Sequence, residues 1–260
     1  MSANKTVLIT GSSSGIGFEL AKIFAANTYN LVLVARDKEK LLQSGKELQR
    51  EGIEIYCMVK DLSDAKAPAK LYNELHHKGI KIDVLVNNAG FATYGLFTEI
   101  ELEKELEELQ VNIVTLTHLT KLFVRNMVKR KEGKILNVAS TAAFLPGPLM
   151  AVYYASKAYV LSFSEALANE LMGTGVSLSV LCPGPTDTGF VKKAHLESSK
   201  LFSGENMKAS LVAQIAYEGL MNNKTLIVPG IKNRIGVEIS RFVPPSLAAK
   251  VARSLQEKKR

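Results

Sequence analysis

Thr6-Val7-Leu8-Ile9-Thr10-Gly11-Ser12-Ser13-Ser14-Gly15-Ile16-Gly17 decides the fold of this chain. A short apolar run without polar alternation suits a strand buried on both faces. The three glycines that follow let the backbone turn tightly and approach an anion closely. A helix beginning at Gly17 would bring unpaired N–H groups and the positive end of its dipole to the same place. Strand, glycine turn and helix start together suit a pyrophosphate. The spacing is G-x-x-x-G-x-G and not the commoner G-x-G-x-x-G, so the loop read alone is equally a plain Ser/Gly turn.

Working outward, short β-branched runs alternate with longer amphipathic segments. Strands are predicted over residues 6–10, 31–35, 54–59, 84–86, 134–138, 176–181 and 225–228. Helices are predicted over 17–26, 38–51, 66–77, 102–130 with a break near Asn112, 153–172 and 211–221. Repeated strand–helix–strand units predict an α/β fold: a Rossmann-type, doubly wound parallel sheet with right-handed crossovers, in one domain. Ligands in such sheets bind beyond the carboxyl ends of the strands, so the informative residues should follow each strand.

The 260 residues are 47% hydrophobic and 22% charged, enough apolar material for a core without disulfides or metals. Cys57 and Cys182 stand far apart, which excludes a disulfide scaffold and favours a cytoplasmic, reducing setting. The four histidines show no ligand spacing, so no metal site is expected. The uncharged stretch 135–156 contains Pro146-Gly147-Pro148 and several polar residues, unlike a membrane span of ~20 mostly apolar residues. Nor does the N-terminus resemble a signal peptide. The net charge of +8 is concentrated at the end, in Arg241, Lys250, Arg253, Lys258, Lys259 and Arg260. A nucleic-acid or anionic-membrane contact is one reading. The plainer one is a solvated terminal helix with a frayed tail, and with Phe242 the only ring there, no nucleic acid is expected. The acidic run 99–109 carries Leu102, Leu106 and Leu109 at helical spacing and reads as an amphipathic helix with a wet acidic face and no chemistry.

Tyr153 and Lys157 are four residues apart, hence on one face of a helix. A free phenol has a pKa of about 10. A neighbouring ammonium favours the phenolate and lowers that value towards the range useful for general acid–base work. An isolated Y-x-x-x-K is otherwise a packed ring with a snorkelling lysine.

Five motifs in unbroken order resemble the short-chain dehydrogenase/reductase family. They are T-G-x-x-x-G-x-G at 10–17, Asn87-Asn88-Ala89-Gly90, Ser140, Tyr153-x-x-x-Lys157 and Pro183-Gly184. The match spans residues ~5–190, with each motif at a strand end or helix start. The resemblance implies an oxidoreductase that moves a hydride between a nicotinamide cofactor and a carbonyl or alcohol. It implies that Tyr153 protonates the carbonyl oxygen, Ser140 hydrogen-bonds it, Lys157 tunes Tyr153 and holds the nicotinamide ribose, and Asn112 holds a proton-relay water. Tyr154 is then left to line the pocket or pack in an interface. Gly11, Ser13, Ser14, Gly15, Ile16 and Gly17 would hold the pyrophosphate. Asn88, Ala89 and Gly90 would shape the cofactor groove, and Pro183, Gly184 and Thr188 would touch the nicotinamide amide. Asp61 and Leu62 resemble the adenine-contacting pair, although Asp61 is also a possible N-cap for the next helix.

Ala35 stands where members of the family that use NAD carry an acid, and Arg36 follows, with a guanidinium suited to a 2′-phosphate. Asp37 either faces the ribose or caps the helix after it; we read it as the cap. NADP is therefore the expected cofactor and NAD the less favoured one. The resemblance also implies a homodimer or homotetramer, paired through helices 102–130 and 153–172. Its expected layout is a catalytic core over 5–186, a substrate lid over 187–210, and C-terminal helices with a basic tail over 211–260. The residues after Ser140 and the lid residues Phe190, Leu196, Leu201, Phe202 and Met207 are mainly apolar. They either pack the lid or line a pocket for a medium-sized hydrophobic ketone or aldehyde. A catalytically idle NADP-binding redox sensor or scaffold is the alternative function.

Overall fold

The structure is a computed structural model that describes residues 4–189 and 206–257. The expectations for Phe190, Leu196, Leu201, Phe202, Lys258, Lys259 and Arg260 lie outside the described residues. Strands β1 (Thr6–Thr10), β2 (Asn30–Ala35), β3 (Ile55–Val59), β4 (Val84–Asn87), β5 (Gly133–Val138), β6 (Val176–Leu181) and β9 (Leu226–Ile227) form one parallel sheet. Its order is β3-β2-β1-β4-β5-β6-β9, so the chain reverses direction across the sheet between β1 and β4. That reversal opens the crevice in which doubly wound sheets bind ligands. Two short strands, β7 (Thr186–Asp187) and β8 (Met207–Lys208), pair in parallel outside it.

Both faces of the sheet are covered, which explains why its strands carry apolar residues at nearly every position. Val7 and Ile9 of β1, with Leu31 and Leu33 of β2, pack with α1 (Gly15–Ala26), α2 (Lys38–Leu48) and α7 (Ala209–Met221). Leu8, Val32 and Val34 point the other way, to α3 (Ala67–His77), α5 (Leu116–Lys129) and the end of α6 (Ala151–Glu170). The strand period of two thus divides one apolar run between two cores. A buried polar ladder ties the layers: Asn87 Nδ2 donates to Thr120 Oγ1 and Asn137 Oδ1, both at 2.9 Å, and Asn137 Nδ2 donates to Ser164 Oγ at 2.9 Å.

Three expectations are corrected by the structure. The break near Asn112 is no break. Helix α4 (Leu102–Leu109) runs through a π-helical segment (Gln110–Thr115) into α5, and the wide turn absorbs an extra residue without interrupting the helix. The acidic helix is only partly as read: Glu101, Glu103 and Glu107 are exposed, but its other two glutamates are not. Glu105 and Glu108 are 5% and 0% exposed, whereas Leu102 and Leu106 are 60% and 53% exposed. On the inner face Glu108 accepts from Thr93 N and Thr93 Oγ1, and Leu102 and Leu106 are left on the surface. Asp61 does not cap α3: its Oδ1 accepts from Ser63 N at 3.0 Å and Ser63 Oγ at 2.8 Å, and the helix begins only at Ala67. By contrast Asp37 is the N-cap of α2, accepting from Lys40 N at 3.1 Å. Helices α8 (Ile231–Ser240) and α9 (Pro245–Gln256) complete the described chain, and among the described residues no helix is long and apolar enough to cross a membrane.

Candidate active site

The expected site residues converge at the carboxyl ends of β1, β4, β5 and β6. Gly11 and Gly15 take the left-handed conformation, with φ of 65° and 58°, where a side chain would strain the loop. Ser14 stands in extended conformation just ahead of α1. Thr10 and Asn88 bolt the glycine loop to the loop after β4. Asn88 Nδ2 donates to Thr10 O and Gly11 O at 3.0 and 3.1 Å, and Thr10 Oγ1 accepts from Asn88 N and Ala89 N, each at 3.0 Å. Close approach requires Gly17, because a Cβ there would lie 2.5 Å from Gly11 O and meet the Asn88 amide. A Cβ on Gly15 would meet Thr188 Cγ2 at 3.1 Å, which brings Thr188 to the glycine loop. Ser12 is buried beneath the loop, its hydroxyl directed at Val34 O at 3.4 Å. Glycine at these positions lets the loop pack tightly on Asn88 and Thr188 while it turns into the N-terminus of α1, an arrangement that fits a pyrophosphate.

Arg36 is exposed at the end of β2, close enough to Asp61 to help hold that carboxyl below its usual range; the hydrogen bonds from Ser63 are the larger cause. Leu62 is buried, and its carbonyl accepts from Thr115 Oγ1 at 2.9 Å. Pro183 O accepts from Thr141 N at 2.9 Å, and Gly184 packs directly against the Asn233 side chain of α8.

Ser140, Tyr153 and Lys157 come together where β5 meets the first turns of α6. Ser140 Oγ accepts from Ala142 N at 3.1 Å and hydrogen-bonds the Tyr153 hydroxyl. Lys157 is buried; its Nζ donates to Val138 O at 3.0 Å and lies 5.7 Å from the centre of the Tyr153 ring. Burial draws the Lys157 ammonium down to about 8, against the opposing pull of Glu108. The Tyr153 phenol is held above its usual value, not below it. Burial is the main cause, the Ser140 hydrogen bond pulls the other way, and the charges of Tyr154 and Glu108 add to the rise. The expected lowering by Lys157 is not seen in this structure: burial of the phenol dominates, and the Lys157 ammonium is bonded to Val138 O. Tyr154 turns away into an apolar cluster with Ala92, Ala142 and Met150, beneath Gly147, where a Cβ would run into its ring.

Asn112 is buried in the π-helical segment. Its Oδ1 accepts from Phe91 N at 3.2 Å, and its Nδ2 donates to Phe91 O at 3.0 Å and Ser156 Oγ at 3.1 Å. Glu108, one turn earlier, does the same for the next part of that loop: its Oε2 accepts from Thr93 N and Thr93 Oγ1, both at 2.8 Å. Two side chains four residues apart therefore fix the loop after β4 at Phe91 and Thr93. Glu108 Oε1 is buried with no partner. Burial pushes this carboxyl up to about 7, with the Thr93 hydrogen bonds and the Lys157 ammonium opposing. The spacing from Asn112 is the signal in the sequence that could single out Glu108 from its acidic neighbours. Cys182 lies below the cluster, its thiol pushed up to about 12 by burial, with a backbone hydrogen bond from Ser140 opposing.

The family model for short chain dehydrogenase matches residues 5–198. A Nostoc protein, "Ketoacyl reductase HetN", is 31% identical over 225 residues, 86% of this chain and 78% of that one. A short-chain dehydrogenase from Sphingobium yanoikuyae, solved in complex with NADPH, superposes with a TM-score of 0.82 at 30% identity, over 92% of this chain and 94% of the other. One from Burkholderia phymatum, solved with NAD, superposes with a TM-score of 0.82 at 26% identity, over 94% and 98%. The chain belongs to the short-chain dehydrogenase/reductase family. It is an oxidoreductase of the class that acts on carbonyl and alcohol groups.

Proposed function

We propose that this protein is an NADPH-dependent reductase of medium-sized hydrophobic ketones or aldehydes or, in the opposite direction, an alcohol dehydrogenase. The observation that carries the reading is the Ser140–Tyr153–Lys157 cluster, set against a glycine cradle at the topological reversal. In this reading Ser140 and Tyr153 grip the carbonyl oxygen, and Tyr153 gives up its hydroxyl proton to it as negative charge develops. Lys157 is near enough to that ring to stabilise the phenolate left behind once its ammonium turns from Val138 O. Asn112 and Glu108 hold the pocket wall at Phe91 and Thr93. Gly11, Ser13, Ser14, Gly15, Ile16 and Gly17 would hold the cofactor's pyrophosphate. Asp61, Leu62, Asn88, Ala89, Gly90, Pro183, Gly184 and Thr188 would line its length. The bound dinucleotide supplies the hydride. Tyr153 packs beside a buried apolar cluster of Ala92, Ala142, Met150 and Tyr154, and apolar surroundings of this kind suit a hydrophobic substrate.

An absorbance screen of aldehydes and ketones with NADPH tests the proposal. Turnover concentrated among apolar carbonyls is expected. Tight NADPH binding with no turnover across a broad panel would replace it with the redox-sensor or scaffold reading.

Preference for NADPH rests on Arg36, because Asp37 is engaged in capping α2 and Ala35 offers the ribose no acid. NADPH should bind more tightly than NADH by about 1.5–3 kcal/mol, the range for hydrogen bonds to a charged group. Arg36→Ala should remove most of that gap by weakening NADPH alone. Titrations giving equal affinities in the unmodified protein would contradict the assignment.

We further infer a two-fold homodimer or homotetramer built on α4, α5 and α6. Leu102, Leu106, Val114 and Tyr159 are exposed there, and Tyr159 stacks on Phe163 at 5.7 Å. Self-association would bury these side chains. Light scattering at micromolar concentration should give at least twice the 28.4 kDa of one chain. The two free thiols, Cys57 and Cys182, suit a reducing, cytoplasmic setting.

A further inference from the structure

Helices α8 and α9 carry most of their large apolar side chains outward, Val237 of α8 being the buried exception. Ile231, Ile235 and Ile239 recur every four residues on α8, and Leu247 and Val251 do so on α9, with Phe242 between the helices. All six are between 49% and 86% exposed. The buried stripe of α9 is made instead of Ala248, Ala252 and Gln256. A helix serving only to cover the body would gain more from burying leucine and valine than alanine, since the gain follows the apolar area removed from water. The charges on the same segment are one-sided. Residues 231–260 hold eight Lys and Arg against Glu238 and Glu257, so this stretch contributes +6 of the chain's net +8. Among the described residues, Glu238 pairs with Arg241 and Glu257 with Arg253, while exposed Lys232 and Lys250 are in no ion pair.

From this combination we propose that α8 and α9 form a docking surface for an anionic lipid bilayer, lying in its interface without crossing it. Apolar stripes beside basic residues are what such a surface recognises: the stripes enter the headgroup boundary and the basic side chains meet lipid phosphates. A second copy of the chain is the poorer occupant, because pairing this face with itself would oppose two stretches of like charge, each +3 over the described residues 231–257. The position of the surface has a consequence for catalysis. Tyr94 Oη, on the loop after β4, donates to Gln256 O at the end of α9 at 2.9 Å. Docking would therefore hold the loop after β4, which carries Tyr94, near the bilayer, where hydrophobic carbonyls partition. That consequence rests on the proposed reductase activity; the docking does not.

The test is co-sedimentation of the full chain with vesicles of phosphatidylcholine alone and of phosphatidylcholine with phosphatidylglycerol. Binding to the anionic vesicles, absent from the neutral ones and weakened by salt, is expected. Lys232→Glu with Lys250→Glu should lower the partition coefficient by at least roughly 30-fold, about 5-fold for each lysine replaced near the lipid surface. Ile235→Glu with Phe242→Glu should abolish binding. NADPH affinity, read by fluorescence, should stay unchanged in both double variants, which separates failure of docking from failure of the fold or of the cofactor reading. Absence of binding to anionic vesicles would overturn the proposal, as would retention of binding by either double variant. So would a fall in oligomer size on Ile235→Glu with Phe242→Glu, which would assign the face to a second copy.

Discussion

Tyr153→Phe is expected to lower kcat by ~10²–10⁴, the range for loss of a general acid, while NADPH binding stays nearly intact. The substitution removes one oxygen and leaves the ring that lies 5.7 Å from Lys157 Nζ. Tyr154→Phe should retain most of the activity. The two phenols are adjacent, and both are within helical reach of Lys157, so spacing alone does not distinguish them. Direction does: Tyr153 meets Ser140, whereas Tyr154 is buried under Gly147 beside Gln256. Steady-state kinetics on the two variants decide the matter. The reverse ranking would mean that the catalytic helix is out of register by one residue.

Glu108→Gln should change how stability depends on pH. Folding raises the Glu108 carboxyl from 4.5 to about 7, chiefly by burial. Below the lower value both folded and unfolded chains are protonated at this group, and its contribution is complete. As pH rises towards the upper value the unfolded chain gives up the proton and the folded chain keeps it. Stability therefore falls across this window, by about 3 kcal/mol in total, and is level above it. A glutamine does not titrate, and its oxygen can still accept from Thr93 N and Thr93 Oγ1. Denaturant unfolding at a series of pH values should show the variant gaining on the parent between about pH 5 and pH 8 by most of that amount. Comparing slopes cancels any constant cost of the substitution. Parallel profiles would show that Glu108 ionises in the folded protein as readily as in the unfolded one.

Much of this arrangement is legible in the sequence where neighbours in the chain are also neighbours in space. The apolar run at Thr6–Thr10 and the glycines after it define a strand and a tight turn locally, so the fold follows from their repetition along the chain. Asp37 could be read as a cap because its partner, Lys40, is three residues away. What escapes local reading depends on distant groups. Glu108 is buried because Thr93 offers it two donors from another segment, which no helical wheel displays. The π-helical segment at Gln110–Thr115 leaves no composition signal of its own. The rise of the Tyr153 phenol reflects desolvation by the assembled fold, which outweighs the lysine that the sequence places beside it. The outward stripes of α8 and α9 look like ordinary amphipathic helices until the structure shows Val237 of α8 and Ala248 and Ala252 of α9 turned inward instead.

The most direct measurement follows an isotope. NADPH carrying deuterium at the transferable position of its nicotinamide would be incubated with the protein and an apolar ketone, and the alcohol analysed for the label. Hydride transfer assisted by Tyr153 would place deuterium on the carbinol carbon of the product, at a rate that collapses in Tyr153→Phe. An unlabelled alcohol, or equal label and rate with the tyrosine removed, would contradict it.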